Sequence, residues 1–180
     1  MTTRSAVSRR LRDLRDALTT IPDSSTWRRC ALVYVAFLAC AFPAGMLSGL
    51  LRPGVATLTP AGMIGSGALL FVQPALVEEI VFRGLLLPRD HRSLPRGRLA
   101  AMAFVALVLY VVSHPINARL FRPQVLGLFE SPAYLGITTL LGLACTATYL
   151  ISRSLWPSVA IHWLTVVLWI WLLGGRQLLG

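Results

Sequence analysis

From Pro53 through Val77 the chain carries no charged side chain. A helix needs about 20 predominantly apolar residues to cross the hydrocarbon core of a bilayer, so a run of this length reads as a membrane-spanning segment. Similar runs recur. They predict five spans, at about Ala31–Leu51, Ala61–Leu87, Leu99–Ala118, Ala133–Ser152 and Trp156–Gly174. The second is long enough to tilt or to continue past the membrane face. Pro74 predicts a kink or a helix restart within it, and Pro43 a bend in the first. The fold class is therefore an all-α polytopic transmembrane bundle. Composition agrees: 56% of residues are hydrophobic and only 13% charged, against about a quarter charged in a soluble domain.

The net charge is +10, and every basic residue is arginine. The arginines lie between apolar runs, which marks them as topology signals and argues against nucleic acid as a partner. The N-terminal arm holds Arg4, Arg9, Arg10, Arg12, Arg15, Arg28 and Arg29. The loop after the second span holds Arg89, Arg92, Arg96 and Arg98, and the turn before the fifth holds Arg153. All fall on one side of an alternating path, whereas Arg52, Arg119, Arg122 and Arg176 fall on the other. The richer side is expected in the cytoplasm, with the C-terminus outside. Residues 1–30 are expected to form a cytoplasmic Arg-rich arm, 31–174 the bundle and 175–180 a tail. Within the arm, Ser5 to Leu18 fits a short amphipathic helix with Leu11, Leu14 and Leu18 on one face, ended by Pro22. A signal peptide does not fit, because the apolar run to Leu51 is too long. Cys30, Cys40 and Cys145 lack metal-ligand spacing and read as small apolar residues.

Glu78 and Glu79 interrupt the second span, with Arg83 one turn beyond Glu79. A charged side chain near the bilayer centre costs roughly 2.5–3.5 kcal/mol on insertion scales, so three in six residues mark a functional site. Glu79 and Arg83 are i,i+4 neighbours placed to pair. Glu78 points about 100° away and is left to meet another partner. Burial and a neighbouring carboxylate are the means by which a glutamate becomes a general base near neutral pH. His114 on the third span and His162 on the fifth add proton carriers or hydrogen-bond donors. Counting ~1.5 Å per residue along straight spans, however, leaves His114 about 15 Å from the depth of Glu78 and His162.

Glu78-Glu79-Ile80-Val81-Phe82-Arg83-Gly84 resembles the E-E-x-x-x-R-G motif of the CPBP intramembrane proteases, the ABI or type II CAAX-endopeptidase family. Tyr110 to His114 is similar to their F-x-x-x-H motif, with Tyr in place of Phe. His162, after Pro157-Ser158-Val159-Ala160-Ile161, is similar to their final histidine motif. The resemblance covers residues 60 to 174. It implies an integral protein of a bacterial inner membrane, which hydrolyses a peptide bond of a membrane-associated protein or peptide with a glutamate-activated water. No cofactor is implied. By position Glu78 would be the base, with Glu79 and Arg83 supporting it. His114 would hold the water or shuttle a proton, and His162 would help stabilise the oxyanion. One departure stands out: the family often has Asn four residues after the last histidine, and here that position is Val166. Thr165, Trp163 and Asn117 are the alternative donors.

Two rival readings remain. A metal-dependent hydrolase would use the glutamates and histidines as ligands, but an H-E-x-x-H pair on one helix is absent. A transporter, or a catalytically silent membrane partner, would use the same buried cluster without chemistry. A transporter is expected to show inverted repeats and broken helices, of which Pro74 is the single hint, while Val166 favours the silent partner.

Overall fold

The computed structural model describes residues 3–179. It is helical, and the described residues contain a single isolated β-bridge, Gly54 with Leu173. In chain order the helices are α1 (Thr3–Thr19), α2 (Ser24–Leu47), a broken α3 (Pro60–Leu85), α4 (Arg96–Phe121), the short α5 (Leu126–Phe129), α6 (Pro132–Ser152), α7 (Trp156–Leu172) and the short α8 (Gly175–Leu179). Four of these, α2, α3, α4 and α6, are long and apolar enough to cross a membrane. α7 is a shorter apolar helix. The polytopic helical bundle expected from the sequence is the fold observed.

Helix ends differ from the apolar runs for a physical reason. Hydrophobicity marks the part of a helix that suits lipid, whereas caps mark the helix itself. α2 starts at Ser24, well before the predicted Ala31, because the Asp23 carboxylate accepts from the Thr26 N–H at 2.7 Å. That bond also holds the Asp23 carboxyl below its usual pKa. The polar turn containing Arg28 and Arg29 is thereby part of the helix. α3 starts with Pro60 in its first turn and Thr59 as cap, accepting from the Gly62 N–H at 3.1 Å.

α3 is interrupted where Pro74 led us to expect a break. Gln73 leaves helical geometry at φ −131°, ψ 113°, and its bond to Pro74 is cis. Proline supplies no N–H to continue the ladder. The break falls inside the π-helical stretch Phe71–Leu76; the α-helical residues Val77–Glu79 follow, and then a second π-helical stretch at Ile80–Leu85. Extra residues per turn re-aim side chains, and such turns are frequent at functional sites.

α6 is the central helix. Of its most apolar stretch 44% is buried, against 11–22% for the other three long helices. Phe37 and Ala41 of α2 pack with Leu141, Ala144 and Cys145 of α6 and Ile161 of α7. α1 belongs to the same body. Ala17 is fully buried with Leu87, Leu155 and Val159, and Leu14 and Leu18 pack around them. Leu11, expected on that face, is instead 57% exposed. Backbone carbonyls at the end of α1 accept from the α6–α7 turn: Ala17 from the Leu155 N–H at 3.1 Å and Leu18 from Trp156 Nε1 at 2.8 Å. Large apolar side chains such as Leu32, Ile64, Leu69, Phe104 and Ile116 point outward, the inverse of a soluble protein and the surface a bilayer solvates. All three cysteines are free, with Cys30 and Cys145 buried.

Candidate active site

Arg83 organises the cluster. Its side chain is 1% exposed, and Nη1 donates to Glu79 Oε1 at 2.9 Å, closing the i,i+4 pair. Nη2 donates to the Gly142 carbonyl at 2.8 Å, and Cζ lies 4.5 Å from the centre of the Tyr110 ring. A buried cation is thus met by a carboxylate, a carbonyl and an aromatic face. Gly142 is essential to this packing. A Cβ there would meet Leu107 Cδ1 at 2.6 Å and Tyr110 Cδ1 at 2.9 Å. Sequence reasoning did not find Gly142, because a backbone acceptor has no side-chain signature.

Glu79 Oε1 accepts a second bond, from His162 Nδ1 at 3.0 Å. A carboxylate only accepts, so His162 carries its proton on Nδ1 there and turns Nε2 toward Glu78. His114 is held the same way: Nδ1 lies 2.8 Å from the Tyr110 carbonyl, which also only accepts. Its Nε2 faces Glu78 too. Glu78 Oε2 is 3.9 Å from His114 Nε2 and 3.9 Å from His162 Nε2, and has no direct hydrogen bond. Tyr110 lies beside both imidazoles, with ring centres 4.9 Å from His114 and 6.0 Å from His162.

All five residues singled out from the sequence, Glu78, Glu79, Arg83, His114 and His162, therefore meet in one place. The 15 Å depth gap expected for His114 is absent. That count set heights along upright spans, and His114 on α4 stands as near Glu78 as His162 on the unbroken α7 does.

The cluster opens into a cavity of about 480 Å³ with largely apolar walls. Glu78, His114 and His162 line it, and Glu79 and Arg83 sit behind them. Val166 also lines it, one turn beyond His162, where its side chain offers no donor. Of the alternatives, Trp163 is committed elsewhere: its Nε1 donates to the Gly67 carbonyl at 2.9 Å. Thr165 lines the cavity but donates to the Ile161 carbonyl at 2.8 Å. Asn117 lines the cavity. So does Gln73, which sequence reasoning passed over although it is the sole amide side chain between Pro53 and Val77.

Glu79, Cys145 and His162 offer ligand atoms within 4.8 Å of one another, the one such group among the described residues. Their chemistry suits a divalent ion poorly. Glu79 Oε1 already accepts from Arg83 and His162, so an ion on this carboxylate would stand close to a guanidinium. Cys145 Sγ lies 3.6 Å from the Ser158 carbonyl.

A comparison with protein families identifies one match: the model described as Type II CAAX prenyl endopeptidase Rce1-like covers residues 60–168, more than half of the chain. The matched segment runs from the start of α3 through most of α7 and includes every residue of the cluster. No curated protein and no solved structure matches the chain.

Proposed function

We propose, from the premise that the chain belongs to the Rce1-like type II CAAX prenyl endopeptidase family, that it is an intramembrane endopeptidase working by a glutamate-activated water. The observation that carries this reading is the position of Glu78 Oε2, free of direct hydrogen bonds and 3.9 Å from two imidazole Nε2 atoms. A water about 2.8 Å from the carboxylate and from either ring fits that separation.

Glu78 takes a proton from this water as its oxygen attacks the scissile carbonyl. The tetrahedral adduct carries the negative charge on the former carbonyl oxygen. Glu78 then returns the proton to the leaving amine, the C–N bond breaks, and the products are a carboxylic acid and an amine. His114, its Nδ1 proton held by the Tyr110 carbonyl, keeps Nε2 directed at the water. His162 donates to the oxyanion when Nε2 is also protonated, and Glu79 at 3.0 Å is the counter-charge for that state. Arg83 holds Glu79 in place and leaves Glu78 as the reactive carboxylate. The substrate is a membrane-associated protein or peptide whose chain enters the apolar cavity. The N-terminus lies in the cytoplasm of a bacterial cell, on the side richer in arginine.

Val166 favours a second reading, a catalytically silent partner that retains the cluster without an oxyanion donor at that position. One experiment separates them: membrane peptides are compared between cells carrying the native protein and cells carrying Glu78→Gln. The substitution keeps shape and polarity but removes the proton acceptor. Peptide products vanish while insertion is retained if Glu78 is the base. Undiminished products in the variant refute that role.

A further inference from the structure

We propose that Tyr110 is a further catalytic residue, its hydroxyl donating to the oxyanion of the tetrahedral adduct, an inference that rests on the endopeptidase reading above. Three polar atoms of the cluster are buried without a hydrogen-bond partner: Glu78 Oε2, Glu79 Oε2 and the Tyr110 hydroxyl. The two carboxylate oxygens only accept, so the hydroxyl is the donor among them. Tyr110 is fully buried, lines the cavity and stands beside both imidazoles, with ring centres 4.9 Å from His114 and 6.0 Å from His162. Of the charged groups around the phenol, Glu78 acts on it most strongly, ahead of Arg83.

The other candidate donors are committed or wet. Val166, one turn beyond His162, has none to offer. Trp163 and Thr165 donate to backbone carbonyls. Asn117 and Gln73 line the cavity but are exposed residues. An oxyanion donor is effective when it is fixed in advance in a site that excludes water. Tyr110 is fixed in that way, edge-on to Phe82, His114 and His162 with the Arg83 guanidinium over its face. A hydroxyl bonds more strongly to an alkoxide than to a neutral carbonyl, so this donor meets its partner in the transition state. Tyr110 and Val166 are also the two places where the chain departs from the motifs it resembles, which have Phe and Asn there. The hydroxyl gained at one replaces the amide lost at the other. Tyr110→Phe isolates the hydroxyl, because the backbone carbonyl that holds His114 Nδ1 at 2.8 Å remains.

The test uses the full chain in lipid nanodiscs. Labelled apolar octapeptides report turnover. A peptide phosphinate, tetrahedral with an anionic oxygen, reports binding without turnover. Both are measured for the native protein, Tyr110→Phe, Val166→Asn and the double variant, with Glu78→Gln as the cleavage blank. Tyr110→Phe is expected to lower kcat about 10²-fold, as loss of one oxyanion donor does. KM changes by less than about threefold, since the bond is made only in the transition state. Phosphinate affinity falls by about tenfold or more. The melting temperature holds or rises, because a buried hydroxyl without a partner is removed. A merely structural tyrosine would lose stability together with activity. In the double variant the amide at position 166 supplies a donor again, and kcat returns to within about tenfold of the native value.

An undiminished kcat in Tyr110→Phe overturns the proposal and leaves the endopeptidase reading in place. So does a double variant no faster than Tyr110→Phe. A lowered kcat with phosphinate affinity unchanged also overturns it, and makes the hydroxyl a tether for the attacking water. If Tyr110→Phe does not insert, Tyr110→Met decides by the same rescue and the same affinity. Tyr110-dependent phosphinate binding without Glu78-dependent cleavage would refute the endopeptidase reading and leave the anion donor standing.

Discussion

Replacing Arg83 by Met removes a guanidinium with its bonds to Glu79 Oε1 and the Gly142 carbonyl. Glu79, fully buried, is left with His162 as its remaining bonded partner. Breaking a buried ion pair from one side costs about 3–5 kcal/mol, because the remaining charge is stranded. In a chain of this size each kcal/mol moves Tm by roughly 2–4 °C, so Arg83→Met is expected to melt about 6–20 °C lower. The double variant Glu79→Met, Arg83→Met removes both charges, and apolar replacement of a buried pair is often neutral or stabilising. Its Tm is therefore expected to return most of the way. Activity is not, because the His162 Nδ1–H then has no carboxylate to fix its ring. Tryptophan-fluorescence melts in detergent and a peptide-release assay on the four corners of this cycle measure both effects. A single variant melting within 2 °C of the native protein, or a double variant no more stable than the single, refutes the pairing argument.

Three further outcomes are expected. Activity survives EDTA and phenanthroline, since a metal held by Glu79 would stand beside the Arg83 guanidinium; loss on chelation with recovery on adding zinc would transfer the mechanism to a metal. Gly142→Ala costs about 1–3 kcal/mol and lowers turnover, because its Cβ strikes Tyr110, whereas Gly65→Ala, with nothing within 4 Å of its Cβ, melts like the native protein. A reporter on the N-terminus is cytoplasmic and one on the C-terminus extracytoplasmic, as protease protection in intact cells will read; both on one side would mean that the count of five spans is off by one.

Much of this architecture was legible before any coordinates. Long uncharged runs located α3, α4, α6 and α7 within a few residues and α2 less closely, because exclusion of charge from lipid acts at the level of composition. The errors fall where caps extend a helix into polar residues, as Asp23 does for α2. The Glu79–Arg83 pair followed from i,i+4 spacing alone. Gly142 and the Tyr110 carbonyl did not follow, since backbone acceptors are chosen by tertiary contact and leave no trace in residue type.

His114 shows how far the packing of whole helices departs from heights counted along each one. Helical arithmetic along straight spans separates it from Glu78 by most of a half-bilayer, yet the two side chains stand 3.9 Å apart. The same count separated His114 from His162 on the unbroken α7, which is also 3.9 Å from that Glu78 oxygen, so the error lies in the height assigned along α4. A regular helix through α3 would keep Glu78 on the face and at the height set by Pro60. The break uncouples the glutamate-bearing turns from that register, so Glu79 can pair within its own helix while Glu78 faces histidines from two others. Pro74 announced the break in the sequence, because its missing N–H is a local fact, whereas the convergence of α4 and α7 on Glu78 is set by tertiary packing and is not.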